Sequence, residues 1–178
     1  MGNRVGRAYS LTVVAPVLSG EESAARDAIE ALPVGASSPL ARLRGLHFSR
    51  IHVVGDLVHQ GPRQRVREHL RAAQLVFTST FDGRALEPYV EELRTLASPD
   101  AWWRFCVGYP GSGDADAFLA WVRAHQIDSS LFASAHPSAT VPGVLEGLVL
   151  RERIVDFAAA AHGLDAVELQ RKFRETFA

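Results

Sequence analysis

The sequence predicts an α+β protein in which an antiparallel sheet carries helices on one face, with a helical extension at the C-terminus. The strand and helix patterns follow one another as β-α-β-β-α-β, which is the split-βαβ order of the ferredoxin-like fold. A doubly wound parallel sheet is disfavoured because two strands adjoin without a full helix between them. No glycine-rich phosphate loop follows the first strand either.

The individual elements follow from hydrophobic periodicity and from cap and turn residues. Strands are predicted over residues 10–17, 46–54 and 74–81, with shorter ones over 102–107 and 130–135. Helices are predicted from the cap Ser19 to Leu32, over 86–96, from the cap Asp114 to His125, from about Thr140 to Ala161, and after Asp165. The arginine-rich residues 62–73 are interpreted as a short exposed helix or a loop.

Composition excludes several classes of protein. The 178 residues are 47% hydrophobic and 22% charged with a formal net charge of -1, which excludes intrinsic disorder and favours one domain over 1–178 with an extension from about 139. A net charge near zero, and basic residues at 63–71 without interleaved aromatic residues, argue against a nucleic-acid partner. No apolar stretch is long enough to span a membrane, so we expect a cytoplasmic protein.

Cys106 is the only cysteine of the chain. It can form no intrachain disulfide and no cysteine zinc cluster, and it lies in an apolar segment, so we interpret it as a packing residue. The histidines form no recognised metal-binding pattern, and the identity of any metal stays unknown.

Side-chain alternation divides each predicted strand into two rows. The apolar rows, such as Leu75 and Phe77, should lie under the helices, and the rows with threonines should form an open face. The second strand adds either the row that begins at His47 or the row with Phe48, Arg50 and His52 to that face, and the pattern alone leaves both alternatives open. A lone domain of this kind must cover the open face, so we expect a homodimer or a bound ligand.

Two short motifs carry a resemblance to a known family. His47-Phe48-Ser49-Arg50 and the segment Leu75–Gly83 are similar to motifs of bacterial proteins of the dimeric α/β-barrel superfamily that are related in fold to the dye-decolorizing peroxidases. Cys106–Pro110 resembles the Gly-aromatic-Pro turn that follows in those proteins, so the resemblance covers roughly Leu11–Pro110. The chain departs from the family at Thr80-Phe81, where Asn-Tyr is frequent, at Arg84–Leu86, where Ser-Trp-Glu is common, and at Ser79, where a glycine leads the peroxidase motif.

The resemblance implies a haem-binding, peroxidase-like or oxygenase-like enzyme that acts on a small organic substrate. Such a site needs an axial histidine in an apolar pocket and a distal acid or arginine. The candidate ligands are His47, His125, His136 and His162, and the candidate distal groups are Asp82, Arg50 and Arg84. We assign His47, Arg50 and Asp82 to catalysis, and His136 and Arg84 to cofactor binding; Asp82 as a helix cap is the alternative for that residue.

Two other functions stay open. The first is a cofactor-free cyclase or monooxygenase, as in some relatives of the superfamily, in which the same histidine and arginine would move protons and stabilise an anion. The second is a non-catalytic module that binds a small molecule.

Overall fold

The computed structural model describes residues 2–177, and its contacts divide the chain into two units between Ser138 and Ala139. The first unit contains the strands β1 (Arg4–Val5), β2 (Ala8–Pro16), β3 (Leu46–Val54) and β4 (Gln74–Asp82). It also contains the helices α1 (Glu22–Glu30), α2 (Leu86–Leu96), α3 (Asp100–Trp103) and α4 (Ala115–His125), with short 3₁₀ helices at Gly35–Ser37 and Pro39–Arg42. The second unit is formed by α5 (Val141–Ala161) and α6 (Ala166–Phe177).

The strands form one antiparallel sheet in the order β1-β2-β4-β3. β2 pairs with β4 along its whole length, so Thr12 lies opposite Thr78, and Thr78 lies opposite Arg50 of β3. The predicted α+β class and antiparallel sheet are confirmed, and β3 has the predicted bounds. Within residues 2–177, no helix is long and apolar enough to cross a membrane.

One face of the sheet is covered and the other is open. The predicted apolar rows of β2 and β4 are buried, including Leu11, Leu75 and Phe77, and helices α1 and α4 pack against the sheet. β3 adds Phe48, Arg50, His52 and Val54 to the open face, where they are exposed and pair with Thr80, Thr78, Val76 and Gln74. Of the two alternatives for this strand, the one with Arg50 and His52 on the open face is therefore the observed one.

Aromatic side chains fill the core between the sheet and α4. Trp103 is fully buried, and its ring centroid lies 5.2 Å from Phe77 of β4, 5.7 Å from Phe118 and 5.4 Å from Trp121 of α4. Rings at these separations in tilted or edge-on geometry attract one another beyond the area that they bury. Trp103 therefore connects the sheet to the helical layer.

The predicted strand over 102–107 is wrong. Trp102 and Trp103 are adjacent and both fully buried, whereas a strand sends adjacent side chains to opposite faces. They lie instead at the end of α3, where the N–H of Trp103 donates to the carbonyl of Pro99 at 2.9 Å. In this segment Cys106 forms an isolated β-bridge to Val17, and the N–H of Val107 donates to the carbonyl of Pro16 at 2.8 Å.

The predicted short strand over 130–135 is also wrong, and the segment has no regular structure. The chain ahead of it is held by a side chain: Asn3 Nδ2 donates to Asp128 Oδ1 at 2.9 Å, and the N–H of Ser129 donates to Asn3 Oδ1 at 2.6 Å. β1 pairs with the edge of β2, so that edge is not available to residues 130–135.

The start of α1 also differs from the prediction. The helix begins at Glu22 after the cap Glu21, which makes no side-chain cap hydrogen bond, rather than after Ser19. The predicted cap Asp114 of α4 is confirmed, because its Oδ1 accepts from the N–H of Ala117 at 3.0 Å.

The arginine-rich segment 62–73 is an exposed loop, which is one of its two predicted forms. Asp56 holds the ends of the longer loop that contains it: His69 Nδ1 lies 2.6 Å from Asp56 Oδ2, and the N–H groups of Leu70 and Leu57 donate to Oδ1. The hydrogen bonds from His69, Leu70 and Leu57 lower the pKa of Asp56 to about 2.

We expect this loop to open at low pH. Because the pKa of Asp56 is lower in the folded protein than in an unfolded chain, its stabilising contribution is present above pH of about 4 and is lost as the pH falls through about 2. Hydrogen exchange of the Leu70 amide, corrected for its intrinsic rate, should accelerate over this interval. The Ile127 amide, which donates to the carbonyl of Thr12, is the control; equal acceleration of both amides would contradict a local opening.

Candidate functional site

A histidine and an aspartate meet where β3 begins and β4 ends. His47 Nε2 lies 2.8 Å from Asp82 Oδ1, and the two side chains are 30% and 15% exposed. The backbone pairing explains this contact between the two side chains. Leu46 pairs with Phe81 and Phe48 pairs with Thr80, so His47 is the extra residue of a β-bulge. Bulges turn single side chains out of the alternation of a strand and are frequent beside active sites.

Gly45 brings the two strands close together at this point. The N–H of Asp82 donates to the carbonyl of Gly45 at 2.8 Å, and a Cβ at Gly45 would lie 3.2 Å from Asp82 Cβ. A side chain at position 45 would therefore press on the aspartate. Asp82 does not cap the next helix, because the N-cap of α2 is Ala85.

A cavity of about 220 Å³ opens beside Asp82. It is formed by the end of β4, the turn after it and the first turns of α2, and it is lined by Gly45, Asp82, Gly83, Arg84, Ala85, Pro88, Tyr89 and Glu92. Ala85 offers no side chain to the first N–H groups of α2. The charged side chains that line the cavity are those of Arg84, Asp82 and Glu92, and the N–H groups at the start of α2 add partial positive charge.

The chain has no match among known protein families, curated proteins or solved structures. What the site can do is therefore inferred from its own geometry.

The other predicted site residues lie at different places. Arg50 lies on the open face, with its guanidinium carbon 4.7 Å from the ring centroid of Phe48. Arg84 is exposed and lines the cavity beside Asp82. His136 is exposed in the segment between α4 and α5. The structure thus brings His47, Asp82 and Arg84 to one end of the sheet, and it places Arg50 further along β3.

Tyr89, which lines the cavity, forms a buried hydrogen bond with Ser79 that the sequence analysis did not predict. Ser79 Oγ lies 2.5 Å from the hydroxyl oxygen of Tyr89, and the Tyr89 ring stacks on Phe81 at 3.7 Å between centroids. Burial raises the pKa of Tyr89, so this phenol stays protonated. The signal in the sequence was a lone serine in the otherwise apolar row of β4.

The candidate haem ligands differ in their surroundings. The Nε2 atom of His47 is held by Asp82, and His136 and His162 are exposed. His125 Nδ1 lies 2.8 Å from the carbonyl oxygen of Trp121, and a neutral ring that donates there keeps its Nε2 lone pair. The cavities beside His47 and His52 measure about 220 and 190 Å³, below the roughly 300–1,000 Å³ that organic ligands of drug size occupy. Haem binding stays a prediction. Among the described residues, no group of three or more His, Cys, Asp or Glu side chains is arranged to hold a metal ion.

Cys106 takes no part in this site. It is buried, and burial raises the pKa of its thiol to about 12. Since the thiolate is the reactive form, the thiol is inert at neutral pH, in agreement with its interpretation as a packing residue.

Proposed function

We propose that this protein is a cofactor-free enzyme that moves a proton on a small organic anion with a C–H bond next to a carbonyl group. The observation that carries the proposal is the contact between His47 Nε2 and Asp82 Oδ1 at the wall of a cavity that Arg84 also lines. One ring nitrogen of His47 is fixed by a carboxylate, and the other has no hydrogen-bond partner among the described residues. General bases use this arrangement.

The aspartate fixes the tautomer of the imidazole. Neutral His47 donates its Nε2–H to Asp82, which leaves the lone pair on Nδ1. Nδ1 makes no hydrogen bond within residues 2–177. It is therefore the atom that accepts the proton, and the Asp82 carboxylate stabilises the imidazolium that forms.

The cavity holds the rest of the substrate. Asp82 lines the cavity and also binds the imidazole, whereas His47 itself is not among the lining residues, so the reacting carbon of the substrate must extend past Asp82 to reach Nδ1. As the C–H proton passes to Nδ1, negative charge develops on the carbonyl oxygen of the substrate. Arg84 binds the carboxylate of the substrate, the N–H groups at the start of α2 stabilise this enolate, and the imidazolium returns the proton to carbon or to a rearranged product.

The fold supports a distant relationship to the dimeric α/β-barrel proteins. The three long strands lie side by side in the order first, third, second, all antiparallel, as the ferredoxin-like fold requires. The place of a fourth strand beside β2 is taken by β1 and by an isolated bridge of Gln126 to Val13. We propose that the chain is a ferredoxin-like unit with this substitution at its edge, and that it forms a homodimer.

The function is tested by deuterium exchange. We expect the protein to accelerate the exchange of the methyl protons of pyruvate in D2O above the rate in buffer, followed by ¹H NMR. Acetone, which has the same carbonyl but no carboxylate, should exchange more slowly because Arg84 has no anion to bind. Rates equal to those in buffer for both compounds would contradict the proposal.

The variant Arg84→Gln should remove the preference for pyruvate. We expect the ratio of the pyruvate rate to the acetone rate to fall by about 10-fold or more, since a hydrogen bond to a charged group contributes about 1.5–3 kcal/mol. Arg65→Gln, in the exposed arginine-rich loop, is the matched control and should leave the ratio unchanged.

A further inference from the structure

Arg84 is the only cationic side chain among those that line the cavity beside Asp82. The carboxylates of Asp82 and Glu92 line it as well, so the lining carries more negative than positive charge at neutral pH. Like charges at short range repel, and an organic anion therefore needs further cations next to the lining residues.

Two further arginines flank the turn that follows β4. On one side, the N–H of Gly83 donates to the carbonyl of Arg7 at 2.8 Å. On the other side, the N–H of Asp82 donates to the carbonyl of Gly45 at 2.8 Å, and Arg44 is the residue before Gly45. The backbone of Arg7 and that of Arg44 therefore lie on either side of the strand end that carries the cavity.

Arg4 of β1 brings a guanidinium to the same place. Its Nη1 atom lies 3.4 Å from the carbonyl oxygen of Arg84. That carbonyl belongs to the peptide bond between Arg84 and Ala85, and both of these residues line the cavity. The turn after β1 is fixed as well, because the N–H of Arg7 donates to the carbonyl of Pro137 at 2.7 Å. Arg4 is thus held next to the cavity by a contact that leaves its charge in place.

None of the four arginines at this end of the sheet forms an ion pair with a carboxylate among residues 2–177. All four side chains are exposed. The arginine of α4 that lies near α2 differs from them, because Arg123 is paired with Glu87. The four guanidinium groups outnumber the two carboxylates that line the cavity, Asp82 and Glu92, which leaves positive charge for more than one anionic group.

We propose that the substrate is a small dicarboxylate, and that Arg4 binds its second carboxylate while Arg84 binds the first. This inference rests on the proposed function, whose substrate class it narrows. Arginine suits the task because its planar guanidinium binds a carboxylate through two parallel hydrogen bonds. Arg7 and Arg44 make no direct contact in this assignment; their charge offsets the repulsion from the Asp82 and Glu92 carboxylates.

A pair of matched substrates tests the inference in the reaction. 2-Oxoglutarate and 2-oxopentanoate have the same chain length and the same exchangeable protons next to the keto group, and only the first has a second carboxylate. We expect the full chain to exchange 2-oxoglutarate in D2O about 10-fold faster or more at low concentration, and Arg4→Gln to bring the ratio close to one. Arg65→Gln, in the exposed arginine-rich loop, should leave the ratio unchanged. Equal rates in the natural protein, or an unchanged ratio in Arg4→Gln, would overturn the inference.

A binding measurement separates this inference from the proposed function, because it needs no catalysis. Glutarate and pentanoate lack the keto group, and their binding can be followed through the ¹⁵N–¹H signals of Gly83 and Ala85. We expect glutarate to bind with a dissociation constant lower by about 10-fold or more, and Arg4→Gln to remove the difference. Equal affinities would overturn the dicarboxylate site even if pyruvate exchanges. Tighter binding of glutarate to a protein that exchanges no pyruvate would support the site and contradict the proposed reaction.

Discussion

Replacing His47 with glutamine is expected to lower the rate of pyruvate deuteration by about 10²- to 10⁴-fold, the usual contribution of a positioned general base. Glutamine can still donate a hydrogen bond from its amide to Asp82, so the end of the sheet should keep its structure. It has no nitrogen that accepts a proton at neutral pH. The loss should therefore appear in the rate of the chemical step, measured by ¹H NMR at saturating pyruvate.

His52→Gln is the matched control for this variant. His52 lies on the same strand, faces the open side and pairs with Val76, away from Asp82. Its replacement should leave the rate within about twofold of the natural protein, since no proton transfer depends on it. If His47→Gln exchanged pyruvate as fast as His52→Gln, the general base would be another group.

Replacing Trp103 with alanine is expected to lower the free energy of unfolding by about 3–5 kcal/mol, which is the range for removing a large aromatic side chain from a core. The fully buried indole contacts Phe77, Phe118, Trp121 and Tyr109, so its loss leaves a cavity between β4 and α4. Urea denaturation measures the change. Leu131→Ala, at a side chain that is 84% exposed, should change the free energy by less than about 0.5 kcal/mol. A loss below about 1 kcal/mol for Trp103→Ala would mean that this cluster does not hold the helical layer to the sheet.

The regular parts of the sheet could be predicted because their signal is local. The apolar rows of β2 and β4 alternate with threonines, and the structure buries the apolar rows. β3 was predicted with its observed bounds, while its facing was left open because Ile51 and Val53 alternate with residues of mixed polarity. The facing depends on pairing with β4, which the sequence of β3 alone does not contain.

The candidate site was harder to predict because it depends on departures from regular structure. His47 and Asp82 were both singled out from the resemblance, but their contact results from the bulge between Leu46 and Phe48, which simple alternation does not anticipate. Trp102 and Trp103 were assigned to a strand from the apolar pattern of 102–107, whereas the structure buries both adjacent side chains at the end of α3.

The protonation of the His47 ring tests the central claim most directly, because the proposed chemistry requires Asp82 to hold Nε2 and leave Nδ1 as the base. ¹⁵N NMR of the histidine side chains distinguishes the two neutral tautomers. We predict that neutral His47 carries its proton on Nε2, and that Asp82→Ala, which removes the acceptor 2.8 Å away, allows both tautomers to be populated. A neutral His47 protonated on Nδ1 in the natural protein would contradict the account.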